Sequence, residues 1–148
     1  MAGEAFSLKD AIALYSGKID LSHKLWAYLQ VVAVGAAGFA WGGERPHGVL
    51  WLLLGAYIIF ALGNGALLVS TQGEAVRIAT AVKDYAKGHK NAVEREFVPV
   101  LATLNPWARW KVGGVHILID VGAVAGIAWQ LWVQLRVHHG PVGWGELW

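Results

Sequence analysis

The chain contains no cysteine. That excludes a disulfide-stapled scaffold, a thiolate zinc site and a cysteine nucleophile. Charge is also scarce: Asp, Glu, Lys and Arg make up 15% of the 148 residues, where an ordinary soluble domain has about 25%. With 12 Lys+Arg and 10 Asp+Glu the formal net charge is +2, which is small for a surface that must neutralise nucleic-acid phosphates, so no nucleic-acid partner is expected. The sequence has no glycine-rich phosphate loop, no Walker motif and no long internal repeat. No serine, histidine or carboxylate sits in a recognisable nucleophile setting, so no catalytic residue is assigned. What is abundant is apolar: 56% hydrophobic residues, with 19 Gly and 9 Trp. Such a chain is not disordered, and its composition is that of an integral membrane protein.

A bilayer-spanning helix needs about 20 mostly apolar residues. Three runs meet that need. Leu25 to Gly42 is broken only by Gln30, and Val49 to Ser70 carries Asn64. Val112 to Leu135 holds His116, Asp120, Gln130 and Gln134. Three spans place the N-terminus and the second loop on one side. That side holds ten of the twelve Lys and Arg, from Lys9 to Lys24 and from Arg77 to Lys111; the other holds only Arg45 and Arg136. Positive charge is retained on the cytoplasmic side, so the N-terminus is expected inside and the C-terminus outside. Trp26, Trp107 and Trp110 then fall at the inner boundary, and Trp41, Trp51, Trp129 and Trp132 at or near the outer one. These indoles are expected to anchor the interfaces, where one ring edge is wet and the rest apolar.

The expected fold is therefore all-α: three transmembrane helices, an amphipathic N-terminal helix and a cytoplasmic helical hairpin. The divisions are residues 1–21 (N-terminal interfacial helix), 22–70 (a hairpin of spans one and two), 71–106 (the cytoplasmic loop), 107–136 (span three) and 137–148 (an apolar, aromatic outer tail). Glu4, Asp10 and Asp20 make the first residues too acidic for a secretory leader. Ser7 and Asp10 have the spacing of a capping box, and Gly17 is the expected end of that helix. Its apolar side is Leu8, Ala11, Ile12 and Tyr15. In the loop, Glu74 to Lys87 reads as a continuation of span two. Asn91 with Glu94 reads as a new cap before a stripe of Val93, Phe97, Val100, Leu101 and Leu104, which Pro99 kinks or ends. Asn105-Pro106 has the pattern of the N-cap and first residue of span three. The loop is too small to bury its own apolar stripes. It must lie on the bilayer, pack on the N-terminal helix or bind another protein.

The polar residues inside the spans say most about function. Gln30, Asn64 and His116 lie at a similar depth, roughly 9 Å below the inner surface at the helical rise. Asp120 follows His116 by four positions, on the same helix face and one turn deeper. A carboxylate near the bilayer centre costs roughly 2.5–3.5 kcal/mol on insertion scales, so Asp120 is protonated or paired. Gln30 and Asn64 read first as interhelical glue. His116 and Asp120 read equally as such glue and as a functional pair or partner contact, a proton relay among the functional versions. Metal binding is not expected, because a His and an Asp fall short of the usual ligand count. His116 is a single candidate for haem ligation. The three-span layout is similar in architecture to the membrane anchors of succinate dehydrogenase and fumarate reductase. Those anchors carry a haem histidine on the middle span, where this chain has none, so no residue role is carried over.

Small residues give a last clue. Gly38 with Gly42, Ala61 with Gly65, and Gly122 with Gly126 each have the four-residue spacing that lets helices approach closely. Three spans cannot cover small faces on every helix, so one is expected to meet another subunit. The leading expectation is a small non-catalytic subunit of a larger assembly in a bacterial cytoplasmic membrane. Its partners would be the lipid bilayer and other membrane proteins or copies of itself, with no cofactor. The alternatives are a redox anchor binding haem or quinone near His116 and Asp120, and a homo-oligomeric proton or ion path using Asp120.

Overall fold

A computed structural model describes residues 7–88 and 97–138. They are all-helical, with four helices: α1 (Leu8–Trp41), α2 (His47–Gly88), α3 (Phe97–Ala102) and α4 (Arg109–His138). At 1.5 Å per residue, the 42 residues of α2 extend about 63 Å, twice the bilayer core. α2 and α4 are each long and apolar enough to cross a membrane. Only 28% and 17% of their most apolar stretches are buried in the protein. A core helix of a soluble protein is mostly covered, whereas these helices turn Leu52, Ile59, Leu62, Ile117 and Leu118 outward.

α1 opens on the expected capping box. Ser7 Oγ accepts from the Asp10 backbone N–H at 3.3 Å, and Asp10 Oδ2 accepts from the Ser7 N–H at 2.9 Å and from its hydroxyl at 2.6 Å. The Ser7 hydroxyl and amide hold the Asp10 carboxyl below the usual carboxylate range. The helix does not stop at Gly17, so the N-terminal segment is no separate helix but the first half of one 34-residue rod. A mid-helix glycine costs about 1 kcal/mol, and tertiary contacts outweigh it. Leu8, Ala11 and Ile12 pack beside Val82, Ala86 and Leu101, and Lys18 pairs with Glu74. The N-terminal half of α1 thus covers part of the loop stripes, while Tyr85 and Val100 stay exposed.

Gly42 and Gly43 end α1. Gly43 has φ +139°, a conformation that side chains rarely adopt. Pro46 then starts α2, its carbonyl accepting from Val49 N–H at 2.9 Å, and α1 and α2 form an antiparallel hairpin. Pro99 neither kinks nor ends a long helix. It sits in the first turn of the six-residue α3, where its missing N–H has no helical partner to lose. The cap expected at Asn91 and Glu94 lies outside the described residues, as does the tail from residue 139. Asn105 and Pro106 do not begin span three. α4 starts at Arg109, with the Ala108 carbonyl accepting from Lys111 at 2.9 Å. The physical reason is Gln72: its Nε2 donates to the Trp107 carbonyl at 2.8 Å and holds that peptide out of the helix.

The helices pack through small residues. α1 turns Ser22, Leu25, Leu29, Ala33, Ala36 and Ala40 inward. Ala33, Ala36 and Ala40 meet Leu50, Tyr57 and Ala61 of α2 and Ile127 and Leu131 of α4. Nearer the other end, Leu25, Leu68 and Val112 close the bundle.

Candidate functional site

Asn64 and His116 are both buried, on facing sides of α2 and α4. Asn64 Nδ2 stands 3.3 Å from His116 Nε2 and donates to the Leu25 carbonyl of α1, also at 3.3 Å. His116 Nδ1 lies 2.5 Å from Asp120 Oδ2. Tyr57 donates its hydroxyl to Asp120 Oδ1 at 3.0 Å. One polar chain thus runs Tyr57–Asp120–His116–Asn64 and ends on the α1 backbone. It ties the three long helices together.

The sequence placed Asn64, His116 and Asp120 together, and they meet. Gln30 does not join them. It is exposed and lines a separate cavity of about 460 Å³ between α1 and the start of α4, with His23, Trp26 and Val115. Tyr57 was missed. Its signal was available: Tyr57, Ala61, Asn64 and Leu68 recur at helical spacing, which puts Tyr57 on the Asn64 face two turns deeper.

The orientation of Asn64 fixes that of His116. A carbonyl oxygen only accepts, so the amide nitrogen must face Leu25. Its second hydrogen then points at Nε2, which accepts. Nδ1 carries the ring proton and donates to Asp120. The imidazole is therefore the neutral Nδ1–H tautomer. Neither ring nitrogen is free for an axial bond to haem iron in this arrangement. Among the described residues no group of three or more His, Asp or Glu side chains is placed to hold a metal ion.

The small residues divide by role. A Cβ on Gly65 would lie 3.0 Å from His116 Cε1, so the absence of a side chain there makes room for the imidazole. Ala61 is buried in the core. The Gly126 carbonyl accepts from Trp41 Nε1 at 3.3 Å. Gly42 caps α1. Gly38 and Gly122 are exposed, and a Cβ on either meets nothing within 4 Å. The close contact expected of Gly38 is made instead by the alanines of α1. Of the tryptophans, Trp41, Trp51, Trp107, Trp110, Trp129 and Trp132 are exposed. Trp26 is half-buried and stands 6.1 Å from the His116 ring, against the polar chain.

His116 and Asp120 form the polar floor of a groove between α2 and α4, with a volume of about 690 Å³. Its walls are apolar, among them Ile58, Leu62, Val69, Ile117 and Val121. The Asp120 side chain is 17% exposed there and His116 4%.

Comparison with profiles of known families, with curated proteins and with solved structures gave no match.

Proposed function

We propose that the chain is a three-span integral membrane protein that serves as a small non-catalytic subunit of a larger membrane assembly. In this reading α1 from Leu25, α2 to Ser70 and α4 each cross the bilayer. The lysine and arginine asymmetry puts the N-terminus and the α2–α4 connection inside, which suits a bacterial cytoplasmic membrane. The half of α1 before the membrane and the half of α2 beyond it form a paired extension on that side. The observation that carries the subunit reading is the outward placement of Gly38 and Gly122, whose bare backbones meet no other part of the described chain. Small exposed faces of this kind let another helix approach closely. The test is native mass after extraction in mild detergent. An assembly well above the 16.0 kDa of one chain, reduced by Gly38→Leu or Gly122→Leu, is expected; a lone chain would overturn the reading.

A second reading, a proton or ion path, is supported by the continuity of Tyr57, Asp120, His116 and Asn64. Proton flux into liposomes tests it. Asp120→Asn lowers that flux if the chain conducts, and equal flux in the two proteins rejects conduction through Asp120.

A further inference from the structure

We propose that the groove between α2 and α4 binds a lipophilic amine, its protonated nitrogen on Asp120 and its hydrocarbon chain along the apolar walls. The inference rests on the membrane reading above, because the groove then opens to lipid. The argument is one of charge. Asp120 receives one hydrogen bond on each oxygen, from Tyr57 and from His116, and each oxygen keeps a further acceptor direction. His116 does not neutralise it. A proton on Nε2 would set two donors against each other across the 3.3 Å to Asn64 Nδ2. Rotating the amide would instead set Asn64 Oδ1 against the Leu25 carbonyl. The titratable groups meeting there are Tyr57 from α2 and His116 and Asp120 from α4. α1 brings the Leu25 carbonyl and the Trp26 ring. With Asp120 ionised, the floor of the groove carries one negative charge that no lysine or arginine among the described ion pairs meets.

An uncompensated carboxylate in an apolar setting is costly, so a cation that reaches it gains more than it would in water. The occupant must enter from lipid and lie against Ile58, Leu62 and Ile117, which demands a hydrocarbon body. Its head must supply positive charge and an N–H for the free acceptor directions. A protonated alkylamine has both, since amines of the lysine type stay charged at neutral pH. An alkanol supplies the hydrogen bond without the charge, and an alkyl carboxylate or phosphate is repelled. Gly122 lies two positions from Asp120, about 160° around the helix. Subunit docking through Gly122 and amine binding at Asp120 therefore use different faces of α4.

The test is equilibrium binding of radiolabelled dodecylamine to the full chain in phosphatidylcholine nanodiscs, measured above empty discs. Saturable binding is expected, with dodecanol, dodecanoate and decylubiquinone each competing at least about tenfold less well, as a close charge pair predicts. Asp120→Asn should weaken binding by a similar factor. Ala66→Trp and Ala125→Trp, at exposed groove positions, fill the groove without replacing any residue of the polar chain and should abolish binding even if the Asp120 variant does not assemble. Absence of saturable binding overturns the proposal. So does equal competition by dodecanol or decylubiquinone, or binding that survives the tryptophan variants. A chain released from membranes by alkaline carbonate fails the membrane reading itself. A chain that stays embedded and binds no dodecylamine fails only this proposal.

Discussion

Two polar clusters join α1, α2 and the α4 segment, and they use similar bonds to different ends. Near the cytoplasmic side of the proposed membrane, Ser22 donates to Gln72 at 3.4 Å and Gln72 to the Trp107 carbonyl at 2.8 Å. Lys18 pairs with Glu74 close by. Deeper, Asn64, His116, Asp120 and Tyr57 form the second cluster. In the first, the ion pair is partly exposed, and water can replace either partner. In the second, water is absent once the helices are in lipid, so a lost partner leaves its neighbour unsatisfied. The partly exposed ion pair is therefore a latch and the deep chain a commitment.

The sharpest way to break that contrast is His116→Leu. It removes the middle of the deep chain and strands both Asn64 and Asp120. Leaving a buried polar group unsatisfied costs about 1–3 kcal/mol, here for two groups, and unfolding in detergent or by steric trapping should show a loss of that order. A loss below about 1 kcal/mol, the scale of an average interhelical hydrogen bond, would place the deep cluster with the shallow one. Gly65→Val comes next. Its first added carbon falls 3.0 Å from His116 Cε1, and the neighbour is a ring held at both nitrogens. Overpacking of this kind costs about 1–3 kcal/mol. The same substitution at Gly122, which meets nothing within 4 Å, should leave the stability of the isolated chain within about 0.5 kcal/mol. Equal effects at the two glycines would mean that His116 does not occupy the space Gly65 leaves.

The contrast also shows what the sequence could and could not reveal. Depth along a helix was legible, because counting residues at a constant rise needs no structure. Hence Asn64 and His116 were placed level, and Asp120 a turn deeper. Direction around a helix was harder. Gln30 has the right depth but the wrong side, because the inward face of α1 is written in Leu25, Leu29, Ala33 and Ala36. Tyr57 was overlooked because an aromatic residue in an apolar run reads as lipid-facing bulk, although its spacing from Asn64 gave its side. Helix ends failed where distant residues override local signals. Gln72, 35 positions away, holds Trp107 out of a helix that Asn105-Pro106 would otherwise begin. The packing of α2 along α1 carries the helix through Gly17. A capping box needs no such partner, and Ser7 with Asp10 was legible in full.

In the shallow cluster, Lys18→Ala should cost no more than about 1 kcal/mol, since partly exposed pairs are worth roughly 0–1 kcal/mol and are screened by salt. The cost should shrink as salt is raised in the unfolding measurement. A loss as large as that of His116→Leu would abolish the distinction between the clusters.

The smallest effect belongs to the start of α1, well away from the deep chain, and it can be read by pH. Ser7 donates its hydroxyl and its amide to Asp10, and both bonds favour the carboxylate, which lowers its pKa below 3.8. A carboxyl whose pKa falls on folding stabilises the helix start above its unfolded value, and that stabilisation is lost as pH falls through the lowered value. Amide exchange at the first turn, Leu8 to Ala11, should thus gain protection between strongly acidic pH and about pH 4, the range in which a carboxyl of this kind ionises. Exchange must be corrected for its intrinsic pH dependence. Asp10→Asn should flatten that rise, because the amide accepts more weakly and does not titrate. Leu25, on whose carbonyl the deep chain ends, is 15 positions along α1 from Asp10, roughly 22 Å at 1.5 Å per residue, so the protection of His116 and Asn64 should not follow the Asp10 transition. If the deep amides lose protection together with Leu8 to Ala11, the two ends of the molecule unfold as one unit, and the separation of latch from commitment fails.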